Sequence, residues 1–354
     1  MLFRRQWEYA KEIDLLYSEV YGRGVYQYTG RYVQNPLGGD DGSNQTAPLL
    51  ENMITKEYYF PKLLNRCVGS REHYIRCVLN PPDRKNILWP EDLVDWRGKS
   101  ITACKMTVEP IIDKQDCQAV LFPYGGYPRM TSIARLLERS DAVNWKNQRI
   151  RSVLVQIAEG VEVLNRDHYL YMDFDLNRLF ILNEGGMYFD FSGLLLETDT
   201  VEAKRSGRWE RNWAKRLPVE FAEPAIIQGK LEIPDRRSQN YSLAALFFSL
   251  MFGRYPYDGS LMDGYSDRTA EEHVRKFQDY HKLPIFIFDP EDTSNQLGDF
   301  THEQEIVRLW EECPDMIRRM LTRALQQASA ERCIEDHNPT PGAWIECFRS
   351  LGWP

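Results

Sequence analysis

The stretch Tyr171-Met172-Asp173-Phe174-Asp175-Leu176-Asn177-Arg178-Leu179-Phe180-Ile181, with Met187-Tyr188-Phe189-Asp190-Phe191-Ser192-Gly193 after it, decides the reading of this chain. Each half sets an aspartate beside a short apolar run and follows it at once with a phenylalanine. Asp173 and Asp190 stand seventeen residues apart. Apolar runs of this length between turn formers read as short strands, and Asn183-Glu184-Gly185-Gly186 supplies the turn between them. An aspartate beside such a strand is either a turn former or a group placed to react or to hold a metal.

Working outward, Gln148 to Asn165 reads as a helix, because Val153, Leu154, Ile157, Ala158, Val161 and Leu164 recur on one face. Tyr241 to Phe252 is apolar almost all round, but its twelve residues are too few to cross a bilayer. It is expected as a helix inside the core. Met316 to Gln327 continues the helical pattern. Leu194 to Leu217 is largely polar and holds Lys204, Arg205, Arg208 and Arg211. That run reads as a solvated loop or as a docking site for an acidic or phosphorylated partner.

The first third is different. Met53 to Phe60 is β-branched and aromatic and reads as a strand stopped by Pro61. Arg71 to Leu79 reads as a helix with Tyr74, Ile75 and Val78 at helical spacing, ended by Asn80-Pro81-Pro82. Ala119 to Gly126 reads as a buried strand running into a turn, and Leu37 to Asn44 as a polar surface loop. The expected class is α+β: a strand-rich lobe over residues 1–123 and a mainly helical lobe over 124–354.

The 354 residues suffice for one large or two moderate domains. The 43% hydrophobic and 27% charged content is that of an ordinary globular chain, and the net charge of −8 argues against a general nucleic-acid binder. Seven cysteines carry no CxxC or Cys/His spacing, so neither a zinc site nor a disulfide framework is expected. Reduced cysteines, no apolar run of membrane length and no signal-like start give a cytoplasmic expectation without a membrane partner.

Taken in order, these motifs resemble those of the protein-kinase family. Lys56 in Met53-Ile54-Thr55-Lys56 resembles the lysine of V-A-I-K, and Glu72 on the next helix resembles its ion-pair partner. Leu121 to Tyr124 resembles the hinge whose backbone meets the adenine. Asp173 resembles the H-R-D aspartate, with Tyr171 and Met172 in place of His and Arg. Asp190 resembles the D-F-G aspartate. Gln239 to Phe252 with Gly253 to Gly259 resembles the buried helix and turn of the large lobe, and Phe221 to Ala225 resembles A-P-E in changed order.

The resemblance implies a bilobal protein-kinase-like fold that uses ATP and magnesium. Asp173 would take the proton of a protein hydroxyl, Lys56, aimed by Glu72, would hold the phosphates, and Asp190 would hold the metal. It equally admits a pseudokinase, a nucleotide-binding or scaffold regulator of a partner protein. Three departures bear on that choice. Five residues beyond Asp173, where the family has a metal-binding asparagine, stands Arg178, whose guanidinium has no lone pair to give. Asn177 lies one position early as the alternative ligand. Arg178 would then either place its charge near the phosphates or pair with a carboxylate such as Asp175 or Asp190. Ser192 is inserted between Phe191 and Gly193. No G-x-G-x-x-G precedes Lys56, where Gly22-Arg23-Gly24 and Gly38-Gly39 are the glycines on offer.

Overall fold

The computed structural model describes residues 16–18, 20, 25–34, 46–63, 71–82, 89–95, 118–124, 130–138, 143–182, 187–189, 194–197, 200, 217–231, 233–262, 264–265, 269–326 and 338–354. The chain forms two compact units, residues 1–135 with 176–194 and residues 136–175 with 195–354. The class is mixed α+β, as expected.

In the first unit, the strands are β1 (Leu16–Tyr17), β2 (Val25–Gln34), β3 (Thr46–Asn52), β4 (Tyr58–Leu63), β5 (Asp92–Asp95) and β6 (Gln118–Pro123). Helix α1 (Arg71–Leu79) lies between β4 and β5 in the chain. The strand order is β1-β2-β3-β4-β6-β5, and every pairing is antiparallel. Ser18, just past β1, bridges Val94 of β5. The outer strands are thereby joined and the sheet closes on itself, which protects the edges that would otherwise recruit another chain.

Asp92 sits inside this closure. Its carboxylate accepts the Ser18 hydroxyl at 2.7 Å, the Tyr26 hydroxyl at 2.7 Å and the Leu93 N–H at 2.8 Å. Burial pushes its carboxyl above the ordinary range, and these hydrogen bonds offset part of that. Leu50, Phe60, Leu93, Val94, Val120, Leu121 and Phe122 of the same sheet are all buried, with the Phe60 and Phe122 rings stacked at 5.6 Å. Trp89 Nε1 donates to the Cys77 carbonyl at 2.7 Å and ties the return from α1 back onto that helix.

Two expectations are corrected here. Residues 53–57 form a turn, not a strand. The Asn52 side chain accepts the Ile54 and Thr55 N–H groups at 2.9 and 3.2 Å, and the Lys56 N–H reaches the Asn52 carbonyl at 2.9 Å. This local side-chain-to-backbone bonding overrides the β propensity of Ile54 and Thr55. Nor does Pro61 stop β4, which runs on to Leu63. Tyr124 N–H bonds the Tyr58 carbonyl across the β4–β6 ladder, so the backbone groups of alternate residues face β6 and those of Pro61 face β3. The β3–β4 ladder consists of Leu50↔Tyr59 and Glu51↔Tyr58. Continued, it would set Pro61 against Pro48, where neither residue has an N–H to give.

A second sheet of this unit takes β7 (Met130–Ser132), β9 (Leu179–Leu182) and β10 (Met187–Phe189) in the order β10-β9-β7, and α2 (Ile133–Glu138) follows β7. The expected loop over 37–44, the turn over 183–186, the glycine pairs and the basic run from Lys204 to Arg211 lie outside the described residues.

The second unit is mainly helical. Helix α3 (Gln148–Arg166) starts where the Asn147 side chain accepts the Arg149 N–H, and it buries Val153, Leu154, Ile157, Ala158, Val161 and Leu164 as the spacing predicts. Strand β8 (Tyr169–Tyr171) follows it and pairs with β11 (Leu194–Leu196). Beyond the short α4 (Pro224–Ile227), helix α5 (Arg236–Phe252) is capped by Asp235, closed by Gly253 at φ 68°, and buried nearly all round. Helices α6 (Ala270–Tyr280), α7 (Thr301–Glu311), α8 (Asp315–Gln326) and α9 (Pro341–Ser350) complete it. Phe288 and Trp310 stack at 4.5 Å beside Phe248 and Phe252. His281, at the end of α6, is buried with Nε2 donating to the Val219 carbonyl at 2.5 Å. Among the described residues, no helix is long and apolar enough to cross a membrane.

Asp92→Ala removes the acceptor shared by the buried Ser18 and Tyr26 hydroxyls and is expected to destabilise the protein by about 2–4 kcal/mol in urea denaturation. His281 gives a pH dependence. Burial lowers its pKa from 6.5 to about 4, so the unfolded chain binds the extra proton between those values. Stability is therefore full above pH 6.5 and falls as the pH drops towards 4, by about 3 kcal/mol in total. His281→Gln should flatten that part of the acid limb in denaturation curves taken from pH 7 to pH 4.

Candidate functional site

The site begins at the end of α3. The chain turns at Asp167 and His168 into β8, whose three residues are all buried. Met172, Asp173 and Phe174 follow, also buried, and Tyr171 meets Phe174 edge-on with ring centroids 5.3 Å apart. Asp173 is 2% exposed.

One residue of α5 sets this geometry. Gln239 Oε1 accepts the Tyr171 N–H at 2.8 Å, and its Nε2 donates to Asn165 Oδ1 at 2.9 Å. A single carboxamide thus ties the last turn of α3, the end of β8 and the core helix together, two residues before Asp173. Sequence reasoning assigned Gln239 to the buried helix but gave it no role. The available signal was a polar amide at the head of an otherwise apolar helix, since buried polar groups are there to be bonded.

Asp175, Asn177 and Arg178 are half-buried, and Leu176 to Arg178 form a turn into β9. The Leu176 carbonyl accepts the Ala134 N–H at 3.0 Å, which fixes that turn to the start of α2. Hairpin β9–β10 then pairs Leu179 with Phe189. Phe189 is buried, and Asp190, the next residue, lies outside the described residues. Asn177, expected as the alternative metal ligand, lies in the turn into β9, and an amide oxygen is a donor of the kind magnesium takes. Arg178 cannot ligate it.

The remaining expected residues fall in the first unit. Lys56 sits in the β3–β4 turn at φ 65°. Its ammonium pairs with Glu51 at 3.3 Å and is 61% exposed. The strand placement that motivated a phosphate role for Lys56 is thus corrected. Lys62, beyond the proline expected to end the strand, lies within β4 opposite Val120, and its side chain lies outside the described residues. Glu72 is in α1, directly after β4 in the element order, and its side chain lies outside the described residues. Leu121 is buried in β6, where its carbonyl accepts the Glu91 N–H at 2.9 Å, and the Tyr124 N–H gives its bond to Tyr58 at 2.6 Å. Those two backbone groups are occupied by the sheet.

No protein-family model matches the chain, and no curated protein matches it.

Gln239→Ala would leave the buried Tyr171 N–H and the Asn165 side chain without this partner. It is expected to cost about 2–4 kcal/mol, read as a lower urea midpoint with an unchanged m-value.

Proposed function

We propose that the chain is a bilobal protein-kinase-like phosphotransferase that moves the γ-phosphoryl of ATP to a hydroxyl on a protein. One positional observation carries the reading. Strand β4, the third of the sheet's five long strands, contains Lys62 and is followed in chain order by the helix that contains Glu72. A protein kinase keeps its phosphate lysine on the third strand and the paired glutamate on the next helix. Lys62 therefore replaces Lys56 in the proposed role.

In this reading Asp173 accepts the proton of the attacking hydroxyl, and its burial beside Phe174 keeps water from competing. Gln239 holds its approach from α5. Magnesium, when bound, neutralises charge on the phosphates, with Asp190 as its ligand and Asn177 as a second oxygen donor. Arg178 adds a fixed positive charge in the same turn. The alternative is a pseudokinase that binds nucleotide or a partner protein without transfer. Arg178, standing where a metal-binding asparagine would be, favours it.

Radiolabel transfer from ATP tests the choice. Asp173→Asn should lower transfer by about 10²–10⁴-fold, Lys62→Ala should abolish it, and Lys56→Ala should leave it within about twofold, as for an exposed surface pair. Equal transfer by wild type and Asp173→Asn removes the catalytic reading. An ATP-induced thermal shift that does not need Mg²⁺ supports the pseudokinase.

A further inference from the structure

We infer that Glu197 is a positioning residue that fixes the register of β8 against β11 and thereby the placement of Asp173. This rests on the phosphotransferase reading. The Glu197 N–H donates to the His168 carbonyl at 2.8 Å, joining the residue after β11 to the residue before β8. The two strands therefore run in opposite directions. The end of β8 that leads to Asp173 lies beside the start of β11, which the chain reaches four residues after Asp190.

The opposite end of the ribbon is clasped. Glu197 Oε2 accepts Arg236 Nη2 at 2.8 Å and lies 3.3 Å from His168 Nδ1. The same Arg236 nitrogen donates to the Asn165 carbonyl at 2.9 Å, and Thr200 Oγ1 donates to the Glu197 carbonyl at 2.8 Å. His168 holds φ 62°, a left-handed conformation that a non-glycine residue keeps only where its surroundings over-determine it.

Magnitudes separate positioning from stability. His168 is 72% and Arg236 45% exposed at the side chain, and pairs of that kind add little to folding. A ribbon of three residues a side, by contrast, has few backbone bonds of its own to hold its register. A slip by one residue moves a strand by about 3.3 Å, whereas a misplacement of about 1 Å already costs about a hundredfold in rate. Gln239 anchors β8 to α5, and Glu197 sets β11 against it.

The test uses the full chain with Glu197→Ala, Arg236→Met and the charge-swapped pair Glu197→Arg with Arg236→Glu. The readouts are amide exchange over 169–171 and 194–196, the Mg²⁺ concentration giving half the ATP-induced thermal shift, and the ligand-free Tm. Both single variants should speed exchange in the ribbon by about threefold or more and raise the Mg²⁺ midpoint several-fold. Tm should move by less than about 3 °C, and the swapped pair, which restores the ion pair but not the bonds to His168 and the Asn165 carbonyl, should recover part of both effects. Unchanged exchange, or a lower Tm with an unchanged Mg²⁺ midpoint, overturns the inference. A wild type without any ATP shift sinks the phosphotransferase reading instead, and exchange alone then decides the clasp.

Discussion

The carboxamide of Gln239 is the interaction on which the second unit's candidate site depends. An uncharged amide side chain accepts at its oxygen and donates from its nitrogen in a single rigid plane. Here it accepts from the backbone of β8 and donates to the last turn of α3. Both bonds lie in a core from which water is excluded, so losing either would leave a buried polar group unpaired. The helix that carries Gln239 is buried nearly all round and cannot shift without repacking the unit. Rigidity therefore passes from α5 to Tyr171 and on to Asp173.

The first unit is organised by a different constraint, the places where backbone donors are missing. Pro61 and Pro48 end the β3–β4 ladder without ending β4. That tolerance keeps Lys62 within the strand, while the Asn52 side chain and carbonyl hold Lys56 in the turn. Closure of the sheet by Ser18 and Val94 then buries Asp92, whose carboxylate accepts hydrogen bonds from Ser18, Tyr26 and the Leu93 N–H. A carboxylate bonded in this way stabilises one arrangement of β1, β2 and β5 and penalises alternatives that strand it.

Much of this was legible in advance, for identifiable reasons. Helices α1, α3, α5 and α8 stand close to where periodicity put them, because an apolar face at 3.6-residue spacing leaves a repeating trace. Two short strands were legible between Leu170 and Phe191 as apolar runs beside turn formers, where the structure has three, β8, β9 and β10. Residues 53–57 misled, because β propensity was weighed there without the competing Asn52 side chain. Pro61 misled for the reverse reason. A proline breaks a strand only where its N–H would have been used, and that depends on which neighbour it faces.

By itself the sequence determined the mixed class, the main helices and the strand runs beside Asp173 and Asp190. Only the tertiary structure decided that Lys62 rather than Lys56 lies in a strand, that Ser18 closes the sheet on Val94, and that Gln239 bonds a residue 68 positions away. The physical reason is range. Helix and strand periodicity are recorded between near neighbours, whereas strand register and buried hydrogen bonds join residues whose separation along the chain leaves no local pattern to read.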